Sequence, residues 1–139
     1  MSTLYLKGLE QMMLGNISFE SDTIKLKYMA TTYTPDVSAE NFLDDVSASE
    51  ASGAPTETLA SVDVRIDTAN SRVELDADNV SEAGITTTTD KFIIYKDTGD
   101  SATSPLIACI DIVEGTLNPV AGTLAITFNA EGLFSINVT

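Results

Sequence analysis

The sequence predicts an all-β fold, a β-sandwich or jelly roll with a short N-terminal helix, and three observations support this fold class. Apolar and polar residues alternate along several short segments, as in strands with one face on a core. Polar turn-forming residues separate these segments at short intervals, which is typical of sandwiches and jelly rolls. Hydrophobic residues make up 43% of the 139 residues and charged residues 20%, as in globular chains. We therefore expect residues 1–139 to form a single domain.

The N-terminal segment, about residues 1–16, is predicted to form the helix or an arm. Apolar residues recur near helical spacing between Leu4 and Gly15, and Gly15 begins a stop signal. Charged residues such as Lys7 and Glu10 interrupt the segment, so it lacks the unbroken apolar centre of a secretory signal. No apolar run in the sequence approaches the ~18 residues that would span a bilayer. We therefore expect a protein that is made and folds in a cytoplasm.

The first strand is predicted over Thr23–Ala30, where apolar and charged residues alternate. Lys25 and Lys27 are expected to face solvent on one side of this strand. The other side is expected to face the core, and it carries Ile24, Leu26, Tyr28 and Ala30.

The clearest hairpin is predicted from Leu59–Ile66 and Arg72–Ala77, which flank the turn-forming residues 68–71. In both segments apolar residues alternate with charged ones, among them Asp63 and Arg65, which are expected on the opposite side. The apolar set is expected to point inward and comprises Val62, Val64, Ile66, Val73 and Leu75.

The most apolar strands are predicted over Lys91–Tyr95 and Pro105–Val113. Their continuous apolar runs indicate burial on both faces or a central place in a sandwich. The polar connection Asp97–Ser104 between them is rich in turn formers. Two further strands, Thr123–Phe128 and Leu133–Val138, are predicted near the end of the sequence.

The segment Val46–Thr58 breaks this rhythm and predicts an exposed loop. It is composed mainly of Ser, Ala, Glu, Gly and Pro. A long loop inside a compact domain is usually functional or mobile. In a protein that works by surface contact, we expect this loop or a free sheet edge to meet the partner.

The chain is strongly acidic, with 21 acidic and 7 basic residues and a formal net charge of −14 at pH 7. Such a surface repels the phosphates of nucleic acids and of anionic membranes, so neither is an expected partner. High net charge also keeps a protein soluble.

One triplet, Asp97-Thr98-Gly99, matches the catalytic triplet of aspartic proteases, whose mechanism needs two carboxyls that share one proton. Its context differs, because the charged residues Lys96 and Asp100 flank it where those enzymes have an apolar strand and a small residue. We expect a turn in which the aspartate caps nearby amides and the glycine supplies a positive φ. A dimeric aspartic protease is the alternative function from a different class.

The acidic run Asp76–Asn79, with Glu82 downstream, resembles a calcium loop in the spacing of its carboxylates. It departs from the EF-hand pattern because Val80 and Ser81 occupy the fifth and sixth positions, where that loop needs an oxygen ligand and a glycine. We therefore expect a strand end with acidic turn residues, and no metal or cofactor site.

Cys109, the only cysteine, lies in the apolar run Leu106–Ile110. The sequence contains no histidine that could serve as its base, so we expect a small buried hydrophobe and not a nucleophile. The sequence also lacks a Gly-rich phosphate loop and a zinc ligand set. These absences predict a protein without catalytic residues, that is, not an enzyme.

Five segments, taken in order, carry a resemblance that covers most of the chain. They are Ser21–Lys25, Tyr33–Asp36, Phe42–Val46, Ile94–Asp100 and Ser104–Asp111. In these segments, and in the order of a short helix, a first strand, an acidic turn and hairpins, the chain resembles small virion structural proteins of tailed bacteriophages. It departs from them in having less glycine and no aromatic residue just before the last strands.

This resemblance implies a head-associated structural protein, specifically a capsid decoration (cement) protein. Such a protein binds the major capsid protein or other virion proteins on the outer head surface after being made in the host cytoplasm. The resemblance also implies a homo-oligomer, with a trimer favoured. The alternative is another virion component of the neck, tail or head fibre.

Overall fold

The computed structural model describes residues 2–128 and 132–137, which contain ten β-strands, one α-helix and one 3₁₀ helix. The strands are β1 (Ser2–Leu4), β2 (Ile24–Met29), β3 (Thr56–Thr58), β4 (Asp63–Asp67), β5 (Arg72–Asp76), β6 (Val80–Ile85), β7 (Lys91–Lys96), β8 (Leu106–Asp111), β9 (Gly122–Ile126) and β10 (Phe134–Asn137). The helix α1 spans Leu6–Met13, and the 3₁₀ helix spans Leu43–Ser49. All paired strands are antiparallel, so the expected all-β fold with one short N-terminal helix is confirmed. Within the described ranges, no helix is both long enough and apolar enough to cross a membrane.

A five-stranded sheet in the order β1-β8-β7-β2-β3 forms the centre of the molecule. Its three inner strands are segments that the sequence predicted. The register places Leu26 opposite Ile94, and Ile94 opposite Ala108, with all three fully buried. Neighbouring residues on β7 point to opposite faces, yet Ile93 and Ile94 are both buried. The predicted burial of this strand on both faces is therefore confirmed.

One face of the central sheet packs against two smaller sheets, which gives a sandwich-like arrangement. Strands β6 and β9 form one small sheet, and the order β10-β5-β4 forms the other. The shared core draws from all three sheets and includes Leu26, Ile94, Leu75, Val80, Leu124, Ile126 and Phe134. The opposite face of the central sheet is covered by Tyr5, Tyr33 and Val46 of the connecting segments.

Strand β2 follows the predicted alternation, with one correction for its charged side. Ile24, Leu26 and Tyr28 are buried, whereas Ala30 lies beyond the end of the strand. Two lysines occupy the opposite side, but they are ion-paired and mostly buried instead of free in solvent. Lys25 Nζ lies 2.5 Å from a carboxylate oxygen of Asp97, and Lys27 Nζ lies 2.9 Å from one of Glu50.

The segment Val46–Thr58 is not the exposed loop that its composition predicted. Its first residues end the 3₁₀ helix, and the Val46 side chain is buried in the core. The backbone then runs beside β2, where the Ala51 amide donates to the Tyr28 carbonyl at 2.9 Å. The last residues form β3, the edge strand that pairs with β2. Backbone pairing to β2 and burial of Val46 and Ala51 therefore order a segment in which residues 47, 48, 52 and 53 are exposed, as its composition predicted.

The two last strands do not pair with each other. β9 pairs with β6, and β10 pairs with β5. β6 spans Val80–Ile85, a segment in which the sequence pattern did not predict a strand. Residues 129–131, which lie between β9 and β10, and residues 138–139 of the last predicted strand fall outside the described residues.

Candidate interaction surfaces

The three-stranded sheet has one face made only of apolar side chains, and part of that face is exposed. In an antiparallel pair, residues directly opposite each other have side chains on the same face. The register therefore groups Val64, Ile66, Val73, Leu75, Phe134 and Ile136. Leu75 and Phe134 lie in the core, but Ile66 is 77% exposed and the other three are each 41% exposed. We call the exposed four the hairpin patch: Val64, Ile66, Val73 and Ile136.

The reverse face of this sheet carries all of the hairpin's charges, arranged as an ion-pair ladder. Arg72 Nη2 lies 3.0 Å from a carboxylate oxygen of Asp67 and 2.7 Å from one of Glu74. Arg65 Nη2 continues the ladder to Glu74 at 3.4 Å and to Asp76 at 3.1 Å. The Glu74 side chain is almost completely buried between the two arginines. Charged and apolar side chains are thus fully segregated between the two faces.

This arrangement corrects the predicted orientation of the hairpin. The pairing of the two segments and the turn at residues 68–71 are confirmed. Of the apolar set expected to point inward, Leu75 is buried and Val62 packs partly against the core, whereas Val64, Ile66 and Val73 are exposed. The end of the sheet that carries Ile66 extends beyond the part of the molecule that covers Leu75 and Phe134. An open groove of about 360 Å³ lies at this end, lined by Ile66, Asp67, Thr68, Ser71, Arg72 and Val73.

A second exposed apolar surface lies on and after α1, and we call it the helix patch: Leu6, Met13 and Leu14. Each of the three is more than half exposed. Leu6 and Met13 are seven residues apart, which is close to two helical turns, so they lie on the same side of the helix. The opposite side contains the buried Gly8 and packs on β8. The open side also carries the exposed Glu10, which lies between Leu6 and Met13 and is ion-paired with Lys7.

The Asp97-Thr98-Gly99 triplet forms a turn that its own aspartate caps. The Gly99 amide donates to Asp97 Oδ1 at 3.0 Å, and Gly99 has φ of +88°. The hydrogen bond from Lys25 holds the pKa of the Asp97 carboxyl below its usual range, and the Gly99 amide adds to this effect. A protease dyad needs a carboxyl that can share a proton with a second one. Here the carboxylate is instead held as the ionised partner of a lysine.

In the acidic run that resembled a calcium loop, three residues each bond to a different partner. Asp76 bonds to Arg65, Asp78 accepts a hydrogen bond from Ser61 Oγ at 2.7 Å, and Asn79 Oδ1 accepts one from the Phe128 amide at 2.8 Å. Glu82 lies on β6 with its side chain exposed. Across residues 2–128 and 132–137, no three His, Cys, Asp or Glu side chains are grouped so that they could hold a metal ion.

Cys109 is a residue of β8, and its side chain belongs to a buried cluster with Tyr5 and Tyr33 on one face of the central sheet. Burial raises the pKa of its thiol to about 12, so the thiolate is scarce at neutral pH. Tyr5 and Tyr33 share a 2.5 Å hydrogen bond, and Tyr33 donates to Glu40 at 2.6 Å. Burial also raises the pKa of both tyrosines. This cluster closes the core beneath β7 and β8 with neutral hydroxyl and thiol groups.

A cavity of about 270 Å³ lies beside the end of β8. Its apolar wall includes Phe92, Ile112, Ile126, Phe128 and Leu133, and its titratable lining residues are Asp111 and Glu114. Asp111 lies opposite Lys91 in the pairing of β7 with β8.

Comparisons of the chain with protein-family models, with curated proteins and with solved structures found no match.

Proposed function

We propose that this protein is a non-enzymatic structural component of a tailed-phage virion, a capsid decoration protein that binds the outer head surface. The observation that carries this proposal is the pair of exposed apolar surfaces, the hairpin patch and the helix patch, on an acidic domain. Contiguous exposed apolar groups in a soluble protein mark contacts with other proteins. The five segments that resemble tailed-phage proteins support the proposal that these contacts are made in a virion.

A decoration protein needs two kinds of contact, one with other copies of itself and one with the capsid lattice. The hairpin patch and the helix patch lie on different elements, so one surface can serve each contact. Burial of apolar area at both junctions would connect neighbouring capsid subunits. Such connections would resist the internal pressure of packaged DNA. We propose a homo-oligomer, with a trimer favoured, because repeated contacts with a lattice gain avidity.

The net charge of −14 favours the outer surface over the interior. Close to DNA, at distances below the ~8 Å Debye length, carboxylates and phosphates repel each other with little screening. On the outer surface the same charge keeps many copies soluble. The major capsid protein is therefore the proposed partner, with no nucleic acid or membrane involved.

The experiment adds purified protein to expanded capsids that lack it and locates the added density by cryo-electron microscopy. We expect density on the outer surface at lattice positions. Met13→Asp, in the helix patch, should reduce occupancy, whereas Val113→Asp, a substitution at a 92% exposed residue outside both patches, should not. Density only at the portal vertex or along the tail would move the assignment to the neck, tail or head fibre. Absence of binding to any virion particle would overturn the proposal.

The protease alternative has its own measurement. If the wild-type protein cleaves a peptide library and Asp97→Asn abolishes the cleavage, the structural role is wrong. We expect no cleavage by either protein, because Asp97 is bonded to Lys25 and to its own turn.

A further inference from the structure

We infer that Glu57 and Glu82 form a calcium site that joins the edges of two sheets. Glu57 lies on β3, the edge strand of the five-stranded sheet, and Glu82 lies on β6 of the two-stranded sheet. In the sequence Glu82 follows the acidic run Asp76–Asn79, but the fold places it beside Glu57 instead. The site needs only this chain and an ion, so it does not depend on capsid binding.

Hydrogen bonds at both ends hold the segments of β3 and β6 alongside each other. At one end Thr87 Oγ1 donates to the Ser52 carbonyl at 2.7 Å, and at the other the Asp78 amide donates to the Ala60 carbonyl at 2.9 Å. The two segments therefore run antiparallel. The two glutamates lie between these ends, because one is five residues after Ser52 and the other is five residues before Thr87.

Both glutamates lie on the core-facing side of their strands. Residues directly opposite each other in an antiparallel pair share a face. Glu57 lies opposite Leu26, Glu82 lies opposite Leu124, and both leucines belong to the shared core. Burial raises the pKa of the Glu57 carboxyl, and the charge of Glu82 raises it further, as a close carboxylate does. The two carboxylates therefore face each other across the edge between the sheets.

Two buried polar atoms at this place have no partner among the described residues, namely Glu57 Oε1 and the Tyr28 hydroxyl oxygen. Tyr28 is 1% exposed, and it lies two residues from Leu26, so it shares the face of β2 that Glu57 continues. Burial raises the pKa of Tyr28, and the charge of Glu57 adds to this effect. Buried polar atoms in folded proteins nearly always have a hydrogen-bond partner. These two atoms therefore indicate a small bound group between the strands.

The donor atoms select a hard divalent cation. Carboxylate and hydroxyl oxygens suit calcium, whereas zinc prefers nitrogen and sulfur ligands. Calcium accepts irregular sets of 6–8 oxygen ligands that include water, but magnesium demands near-ideal octahedral geometry. A calcium ion would give Glu57 Oε1 its missing partner, and a water molecule on the ion would give the Tyr28 hydroxyl one. With only two protein carboxylates, we expect a dissociation constant of about 1 mM.

Thermal unfolding in calcium-free buffer and in CaCl₂ at about 10 times this dissociation constant tests the site. An ion that binds only the folded protein should raise the unfolding midpoint by about 4 °C. We expect this rise in the wild type and in Glu20→Gln, a variant at an exposed position, and a much smaller one in Glu57→Gln and Glu82→Gln. All three variants lose one negative charge. An equal rise in all four proteins would show general screening of an acidic surface and overturn the inference, as would no rise in the wild type.

Terbium luminescence locates the ion independently of stability. Terbium occupies calcium sites and emits light when a nearby aromatic ring is excited. The chain has no tryptophan, and Tyr28 is the only tyrosine of the shared core, because Tyr5, Tyr33 and Tyr95 belong to the cluster on the opposite face of the central sheet. We expect tyrosine-sensitised emission that calcium displaces, and its loss in Tyr28→Phe and in Glu57→Gln. Full emission from either variant would place the ion elsewhere and overturn the inference.

Discussion

Gly8 lies where α1 crosses β8, and it allows the helix to approach the sheet closely. A Cβ atom at this position would lie 2.7 Å from the Ile107 Cα and closer still to the Leu106 carbonyl oxygen. Both contacts are backbone atoms of a central strand, which cannot move aside as a flexible side chain can. Glycine is therefore required here because there is no room for a side chain, and not because a turn needs a positive φ.

Gly8→Ala is expected to destabilise the protein although alanine is the better helix former. In an exposed helix the change would stabilise by about 1 kcal/mol. Here the added methyl group must displace α1 from β8, and overpacking of this kind costs about 1–3 kcal/mol. Urea titration should show a lower free energy of unfolding for Gly8→Ala. The control Gln11→Ala, on the same helix, should change it little, and a more stable Gly8→Ala would show that the helix is free to shift.

Glu57 on β3 is a partly buried carboxyl, and its Oε1 atom has no hydrogen-bond partner among the described residues. Burial raises the pKa of this carboxyl, and the nearby Glu82 raises it further. The folded protein thus binds this proton more tightly than the unfolded chain does. Its stabilising contribution is present below the unfolded pKa of ~4.3 and is lost as pH rises through the folded pKa.

Glu57→Gln should therefore gain stability relative to the wild type as the pH rises from about 4 to about 7, because glutamine stays neutral. Thermal unfolding of both proteins across this range measures the difference. Glu114→Gln, at an exposed position, is the matched control and should show no such trend. A constant difference between Glu57→Gln and the wild type would show that Glu57 is well solvated.

At the scale of the element, the hairpin β4–β5 depends on its ion-pair ladder for one of its two faces. Glu74 is the central carboxylate, and its side chain is nearly inaccessible to solvent. Arg72 is the better-buried of its two arginine partners and makes the shorter contact, 2.7 Å against 3.4 Å for Arg65. Loss of Arg72 would leave a buried charge with one weaker partner.

Arg72→Ala is expected to destabilise the protein more than Arg65→Ala does. The cost of leaving a buried charge without its main partner is about 3–5 kcal/mol in a deep interior, and we expect the lower end here because the ladder lies at the surface of a small sheet. Arg65 is 41% exposed, so its ion pairs are weakened by solvent. Urea titration of both variants gives the comparison. Equal losses would indicate that Glu74 is held by both arginines alike.

The hairpin also shows what alternation in a sequence can and cannot predict. A period of two identifies which residues share a face, and it correctly grouped Val64, Ile66, Val73 and Leu75. It does not reveal how far the covering core extends along that face. The buried end at Leu75 and the exposed end at Ile66 have the same pattern. The hairpin patch was therefore accessible only from the structure.

At the scale of the whole molecule, the high net charge opposes both compaction and association. Raising the NaCl concentration from about 0.01 M to about 1 M shortens the Debye length from about 30 Å to about 3 Å. We expect a higher midpoint of thermal unfolding and a lower dissociation constant for self-association at the higher salt. Contacts that depended on opposite charges between copies would weaken instead. Sedimentation equilibrium at the two salt concentrations distinguishes the two outcomes.

The fold class and the central strands were predictable because continuous apolar runs of this length, bounded by turn formers, are typical of buried strands. Lys91–Tyr95 and Pro105–Val113 became inner strands of the central sheet, as their continuous apolar runs indicated. β6 was missed because its sequence, Val80–Ile85, mixes serine, glutamate, alanine and glycine. The segment Val46–Thr58 was wrongly predicted as an exposed loop for a related reason. Its structure comes from backbone bonds to β2, which side-chain composition does not encode.

The strand order of the central sheet determines when this sheet can form during synthesis on the ribosome. β1 is made first, yet it pairs with β8, with Ser2 opposite Ile110 and Leu4 opposite Ala108. β2 likewise pairs with β7, so Ile24 lies opposite Lys96. Pairings between segments so far apart form slowly, because a long loop must close before any contact is gained. Nascent chains that end before β8 should therefore stay sensitive to protease, and protection should arise only after β8 has left the exit tunnel.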